Sequence, residues 1–253
     1  MDLQPHRTRY WLTSPDKLEN PEEFQQRVEE VCALYRQAPE LEQQGVHVVS
    51  CDECTGIQAL ERKHPTRPAK PGMIELREFE YIRHGTLCLI ANFFVATGQV
   101  LQSTVSATRT EEDFLNHIQG TVAMAPERSW VFIADQLNTH MSESLVRFVA
   151  KECGIDIELG VKGKSGVLKS KKSRRTFLED RTHRIRFLYT PRHTSWLNQV
   201  EIWFSILSRR LLKRGDFSSL DSLGEKLKAF IEYFNTALAK PFRWTYTGRP
   251  LTV

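Results

Sequence analysis

Residues 86–108, TLCLIANFFVATGQVLQSTVSAT, form the stretch that decides the fold. Two runs rich in apolar and β-branched residues flank a turn at Gly98 and Gln99, a pattern typical of a β-hairpin. Upstream, residues 47–53 (HVVSCDE) form a short apolar run that ends in acids and predicts another strand. The sheet is therefore expected to begin with three strands in a meander.

The rest of the chain is expected to alternate helices and strands. Asn20 and Pro21 predict the start of an N-terminal helix that ends near Arg36. After the hairpin we expect, in order, a helix from Thr110 to about Gly120, a strand at 129–136, a helix over about 141–153, a strand at 184–190, and helices from near Thr194 and over about 219–238. This order predicts an α/β fold, with helices on both faces of a mixed sheet.

Composition narrows the class of protein. The 253 residues are 40% hydrophobic and 26% charged, which is ordinary for a globular protein with a core. Five irregularly spaced Cys argue against a disulfide framework and for a reducing compartment. The sequence has no run of about 18 apolar residues and no apolar region near its start, so we expect neither a membrane span nor secretion. A cytoplasmic, nucleoid-associated location is the expectation.

The positive charge is concentrated in the second half of the chain. The net charge is only +4, but residues 161–175 contain seven cations and no acid. Such a concentration predicts a surface that binds a polyanion, although a solvated basic loop is the alternative. The seven cations are Lys162, Lys164, Lys169, Lys171, Lys172, Arg174 and Arg175.

Two acids follow apolar runs that predict buried strands. Asp52 follows VVSC and Asp135 follows WVFIA, so each is expected to end its strand. Catalytic acids on α/β scaffolds commonly lie at the carboxyl ends of strands. The alternative is that each Asp only terminates its strand.

A third acid lies in the apolar stripe of a predicted helix. In residues 195–212, SWLNQVEIWFSILSRRLL, Glu201 shares a face with Leu197 and Phe204. A carboxylate on a packed face is costly unless it is paired or binds a metal, so a buried salt bridge to a nearby Arg remains possible. Three converging carboxylates would suit Mg²⁺ or Mn²⁺, and two such ions can assist a phosphodiester displacement. Acids surrounded by lysines then point to nucleic acid as the substrate.

Two further features lie close to these acids. Cys51 and Cys54 form a C-x-x-C motif, but the chain has no second pair for a zinc site and no thioredoxin-like context. A zinc or redox role is therefore disfavoured. His140 could support the site or contact phosphate, and an ordinary surface or capping His is the alternative.

Taken together, these segments resemble the catalytic domain of DDE transposases, in the bacterial insertion-sequence branch of the mariner superfamily. The match runs from about residue 48 to residue 250. Its segments are VVSCDECTGIQALER, PTRPAKPG, YIRHGTLCLIANFFVATGQV, VFIADQLNTH, TPRHTSWLNQVEIWFSILSRR and KPFRWTYTGRP. The departures are Gln136, where the family usually has Asn, and the 66 positions between Asp135 and Glu201, a longer spacing than is typical.

The resemblance implies an RNase H-like fold with a mixed five-stranded sheet and catalytic acids at Asp52, Asp135 and Glu201. It implies that these acids bind two Mg²⁺ or Mn²⁺ ions. A water activated at one ion would cleave a phosphodiester at the element's end, and the freed 3′-OH would then attack target DNA in strand transfer. The alternatives are an endonuclease without transposition and a catalytically silent DNA-binding remnant. The basic residues of 161–175, together with His140 and Arg192, are expected to contact DNA.

The resemblance also sets expectations for domains and partners. Residues 1–45 are expected to form a helical arm or linker, and residues 46–250 the catalytic domain, with a basic insertion at about 155–180. Relatives normally have helix-turn-helix domains ahead of this domain, and none is visible here. The expected partners are double-stranded DNA, a second copy of the chain in a homodimer, and possibly a separate helix-turn-helix polypeptide.

Overall fold

A computed structural model describes residues 13–248 and shows a mixed five-stranded sheet. The strands lie in the order β3-β2-β1-β4-β5. The antiparallel meander β1-β2-β3 forms one half, and β4 and β5 add to β1 in parallel. The strands are β1 (Val46–Arg62), β2 (Tyr81–Phe94), β3 (Gln99–Ser106), β4 (Ser129–Ala134) and β5 (Ile185–Tyr189).

Seven α-helices connect and cover the strands in the described part of the chain. They are α1 (Pro15–Glu19), α2 (Pro21–Gln43), α3 (Glu111–Ala123), α4 (Glu143–Glu152), α5 (Lys171–Leu178), α6 (Gln199–Leu207) and α7 (Leu220–Ala237). Helix α6 continues into a π turn at Ser208–Leu212. The predicted starts of α2 and α3 are confirmed. Asn20 caps α2 ahead of Pro21, and Thr110 forms a reciprocal capping pair with Asp113 at the start of α3.

Helices pack on both faces of the sheet, as predicted. Helices α3, α4 and α5 cover one face with a core that includes Phe114, Val149 and Phe177. Helices α6 and α7 cover the other face over the meander, and α2 covers that face over β4 and β5. Within the predicted N-terminal arm, α2 is therefore packed against the sheet through the stripe that contains Val31 and Tyr35.

Several predicted boundaries are wrong. The first strand does not end at Asp52, because β1 continues to Arg62 through its pairing with β2. The proline-rich and charged segment 61–85, whose composition predicts an extended loop, instead belongs to this hairpin at both ends, so only residues 63–80 connect the two strands. The basic segment is not only a loop: its last five residues belong to α5, which buries Phe177 and Leu178. No helix within residues 13–248 is long and apolar enough to cross a membrane.

Candidate active site

Two neighbouring strands and one helix bring three acids to the same edge of the sheet. Asp135 directly follows β4, and Asp52 lies on β1 two residues beyond Ser50, the last residue of β1 that pairs with β4. Helix α6 has Glu201 in its first turn. The charge of Asp135 raises the pKa of both other carboxyls, so the three acids lie within electrostatic reach of one another.

Asp52 is buried and held in place by an amide from α6. Its side chain is 8% exposed. Asn198 Nδ2 donates to Asp52 Oδ2 at 3.0 Å, and the backbone N–H of Glu53 donates to Asp52 Oδ1 at 2.8 Å. Burial, together with the nearby charge of Asp135, raises the pKa of Asp52 to about 7. This carboxylate is therefore oriented, but its negative charge is poorly compensated.

Asn198 itself belongs to a buried network that joins α6 to β1. Its Nδ2 also donates to the carbonyl of Cys51 at 3.0 Å, and its Oδ1 accepts a short hydrogen bond from Ser50 Oγ. Ser50 in turn accepts from the backbone N–H of Val200 at 2.8 Å. Since strand alternation points Ser50 and Asp52 to the same face, one helix terminus secures both side chains.

Asp135 is stabilised as an anion by a histidine. His140 Nδ1 lies 2.7 Å from Asp135 Oδ1, and the backbone N–H of Leu137 donates to the same oxygen at 2.9 Å. Burial disfavours the charged carboxyl, but the hydrogen bond and the charge of His140 outweigh it, so the pKa of Asp135 lies below its usual range. The side chain is 46% exposed, which leaves this carboxylate open to solvent.

His140 bridges two carboxylates and is itself fully buried. Its Nε2 lies 3.1 Å from both carboxylate oxygens of Glu53, and its ring packs on Phe114 with 4.1 Å between centroids. Burial opposes the charged ring, but the hydrogen bonds of Asp135 and Glu53 raise the pKa of His140 to about 10. A fully buried side chain offers no surface to a phosphate, so the structure does not support the DNA contact expected of His140.

Glu201 is half-buried and has no cationic partner within the described residues. The salt bridge to an Arg that was the alternative for Glu201 is therefore absent from this part of the chain. Burial and the charge of Asp135 raise the pKa of Glu201. Its carboxylate therefore lies within electrostatic reach of Asp135 and has no compensating charge among the described residues.

The donor set fits a divalent cation. His140 binds Glu53 and Asp135, whereas Asp52 and Glu201 form no ion pair with a described residue, and burial followed by the charge of Asp135 raises the pKa of both of these carboxyls. Carboxylate oxygens are the preferred ligands of Mg²⁺ and Mn²⁺. Within residues 13–248 no three acidic, His or Cys side chains are gathered closely enough to form a complete metal site by themselves. The acids are thus near one another without forming a closed ligand set.

Four cations of the basic segment 161–175 have partners within the protein. Arg174 donates to the carbonyls of Met141 and Leu168, and Arg175 pairs with Glu179. Lys162 lies 4.0 Å from a carboxylate oxygen of Glu111. Lys171 Nζ donates to the carbonyl of Gln136 at 2.7 Å, next to Asp135.

Lys164, Lys169 and Lys172 are exposed, and none of them forms an ion pair with a described residue. Arg192 is exposed as well, but Asp16 and Glu19 of α1 both bind its guanidinium. The backbone N–H of Arg192 also donates to Asp16 at 2.7 Å. The expected DNA-binding residues therefore divide into free lysines and cations that already have protein partners.

Two residues that organise the site were not predicted. Glu53 is adjacent to Asp52 in sequence, but its contact with His140 joins positions 87 apart. Asn198 contacts Asp52 across 146 positions. The sequence contains one local signal for Asn198, which is its position three residues before Glu201 at the start of α6.

Solved structures of a mariner transposase share this fold. The Mos1 paired-end complex with Mn gives a TM-score of 0.51 at 14% identity, covering 94% of this chain and 62% of that one. The complex with the left transposon end gives 0.52 at 14% identity, with 94% and 61% coverage. The catalytic domain of Mos1 gives 0.50 at 9% identity, with 89% and 85% coverage. At these identities the likeness shows the fold, which is RNase H-like as expected.

The chain spans about three fifths of the length of the two Mos1 chains in those paired-end complexes. No curated protein matches its sequence. The family model described as DDE superfamily endonuclease matches residues 47–224, which contain all three acids. A match over this much of the sequence, on a sheet that brings Asp52, Asp135 and Glu201 together, shows that the chain belongs to the DDE endonuclease superfamily.

Proposed function

We propose that the chain is the catalytic part of an insertion-sequence transposase, which cleaves phosphodiester bonds at the element's ends and joins them to target DNA. The observation that supports this proposal is the meeting of Asp52, Asp135 and Glu201 at one sheet edge in a member of the DDE endonuclease superfamily. Asp52, Asp135 and Glu201 act as metal ligands rather than as nucleophiles.

The metal ligands would hold two Mg²⁺ or Mn²⁺ ions. Bound at this edge, such ions supply an activated water and stabilise the charge that develops on the attacking and leaving oxygens. The excess negative charge of the acids supports this assignment, because a divalent cation would relieve their mutual repulsion.

Other residues of the chain position these ligands. His140 donates to Asp135 and Glu53 and so holds the Asp135 carboxylate in one orientation. Asn198 does the same for Asp52. Lys171 donates to the backbone carbonyl of Gln136, the residue after Asp135, and from this position it would contact a phosphate of the DNA backbone. Orientation of ligands by neighbouring hydrogen bonds is a general requirement of metal sites.

The domain and partner assignments belong to the same proposal. We assign residues 46–250 to the catalytic domain and residues 1–45 to an N-terminal arm, whose helix α2 packs on that domain. Two of the Mos1 structures are paired-end complexes, one of them with the left transposon end, which supports transposon-end DNA as the substrate. A homodimer is the proposed working form, because two DNA ends must be brought together. A separate helix-turn-helix polypeptide would supply recognition of the ends at the nucleoid.

A plasmid-nicking assay with Mg²⁺ or Mn²⁺ tests the proposal. Asp52→Asn, Asp135→Asn and Glu201→Gln should each reduce metal-dependent nicking by more than the roughly 10- to 100-fold that loss of an outer hydrogen-bond partner costs. Asp221→Asn and Glu225→Gln remove exposed carboxylates of α7 and serve as matched controls that should nick normally. Nicking that survives any of the three site substitutions would contradict the assignment.

A second assay distinguishes a transposase from a simple nuclease. Duplexes with the inverted repeats that flank the gene and a free 3′-OH should become joined to plasmid DNA when metal is present. Joined products must disappear with the same three substitutions. Nicking without any joining would instead identify an endonuclease that does not transpose.

A further inference from the structure

A groove beside α6 and α7 combines an apolar floor with a cationic rim. It has a volume of about 880 Å³, and we refer to it as the arginine groove. Its lining residues include the four cations Arg209, Arg210, Arg214 and Lys240, with no acid among them. Ile206, Phe234, Leu238 and Phe242 supply the apolar part.

The cations of the arginine groove are free to bind an external anion. All four are exposed, and no carboxylate within residues 13–248 forms an ion pair with any of them. Arg209 is anchored through its Nε, which donates to the carbonyl of Ser205 at 3.1 Å, and its terminal nitrogens remain available. The basic segment 161–175 differs, because more than half of its cations already have protein partners.

The part of the groove formed by Phe242 and the end of α7 is held by contacts with the sheet. Phe242 stacks on Phe93 of β2, with 4.6 Å between ring centroids. Asn235 bonds both the N–H and the carbonyl of Val100, which fixes the end of α7 to β3. Gly98 has a φ of +77°, and a Cβ there would lie 2.0 Å from the Lys240 carbonyl, so the backbone before Phe242 presses directly on the hairpin turn. Preorganised walls reduce the entropy lost on binding.

One continuous helical segment joins the arginine groove to the acids. Glu201 lies in the first turn of α6, and Arg209 and Arg210 lie in the π turn at its end. At about 1.5 Å per residue, eight residues place Arg209 roughly 12 Å from Glu201 along the axis. Phosphates of one DNA strand advance about 3.4 Å per base pair, so a duplex that lies along α6 would cover this distance in about four base pairs.

We infer that the arginine groove binds the phosphate backbone of the same DNA duplex that is cleaved at the acids, about four base pairs from the reacting bond. The inference rests on the proposed function, since it takes DNA as the substrate. Four unpaired cations and no acid are complementary to a phosphate backbone, and contacts of this kind fix the register of a duplex without reading its sequence.

The test compares two triple variants of the full chain in DNA-binding titrations from 50 to 200 mM salt without divalent metal. Arg209→Gln, Arg210→Gln and Arg214→Gln remove three groove cations. The control, Arg128→Gln, Arg147→Gln and Lys151→Gln, removes three cations outside the groove, two of them on α4, which covers the opposite face of the sheet. Circular dichroism and thermal melting should show that both variants remain folded.

Each phosphate contact contributes about 0.9 to the slope of log affinity against log salt. We expect the groove variant to lose about 2.7 from the magnitude of this slope. Between 50 and 200 mM salt, wild-type affinity should therefore fall about 40-fold more than that of the groove variant. The control variant should retain the wild-type slope.

Duplex length gives an independent measure. Duplexes that extend at least six base pairs past the phosphate at the acids should show the full loss of salt slope in the groove variant. Duplexes that end two base pairs past that phosphate should bind the wild-type chain and the groove variant equally. Equal salt slopes for the groove and control variants would overturn the inference and favour an acidic protein segment as the occupant. The proposed function would still be supported if DNA nicking required Asp52, Asp135 and Glu201. Absence of DNA binding by the wild-type chain would overturn both.

Discussion

Asp52 and Asp135 come from adjacent parallel strands, and the protein holds them in opposite ways. Asp52 is buried, receives its hydrogen bonds from a neutral amide and a backbone N–H, and has a raised pKa. Asp135 is half-exposed, is bound by a charged His140, and has a lowered pKa. The difference arises because β1 continues past the site within the sheet, whereas β4 ends there.

This contrast suggests a division of work between the two acids. Asp135 is a stable anion in the absence of metal, because His140 compensates its charge. Asp52 is oriented but electrostatically unfavourable until a cation arrives. The carboxylates of Asp52 and Asp135 therefore repel each other, and a bound divalent ion would reduce this repulsion.

The largest expected effect comes from removing the charged partner of Asp135. His140→Ala leaves Glu53 and Asp135 without the imidazolium between them, and breaking a buried ion pair from one side costs about 3–5 kcal/mol of unfolding free energy. Urea unfolding in EDTA measures this loss. His140→Gln, which retains one hydrogen-bond donor, should lose less. A His140→Ala protein as stable as wild type would show that the bridge is not maintained.

The second prediction removes the neutral partner of Asp52. Asn198→Ala should lower the free energy of unfolding by about 1–3 kcal/mol, because buried polar groups of Ser50 and Asp52 lose a hydrogen-bond partner. It should also weaken Mn²⁺ binding by about 10- to 100-fold in calorimetric titrations. Asn138→Ala, which removes an exposed amide close to Asp135, is the matched control and should leave both quantities unchanged.

The smallest effect tests the sign of the contrast directly. In EDTA, Asp52→Asn should raise the unfolding free energy by about 1 kcal/mol, because a buried uncompensated charge is removed. Asp135→Asn should lower it by about 1 kcal/mol, because His140 loses a charged partner. Thermal denaturation of both variants at one pH measures the difference. Shifts of the same sign would show that the two acids are not held differently.

Much of the fold was predictable because it depends on local patterns. The hairpin around Gly98, the strand before Asp135 and the capped start of α3 at Thr110 follow from periodicity and capping rules. Helix α5 was missed because its cations obscure a short apolar pair, Phe177 and Leu178. The end of β1 was misplaced because the acids after Cys51 resemble a strand terminus, whereas pairing with β2 extends the strand.

By itself, the sequence predicted that Asp52, Asp135 and Glu201 lie near one another, through local patterns and through the resemblance they carry. Apolar runs before Asp52 and Asp135, and the helical stripe around Glu201, depend on neighbours within a few positions, so they can be recognised without a structure.

Only the tertiary structure decided how each acid is held and which cations are free. The contacts of Asp52 with Asn198, of His140 with Glu53, and of Arg192 with Asp16 join residues 146, 87 and 176 positions apart. Charge compensation depends on distance in space and on burial, and neither quantity is encoded in local spacing. The basic segment 161–175 therefore has fewer free cations than its sequence indicates, and the arginine groove is evident only from the folded chain.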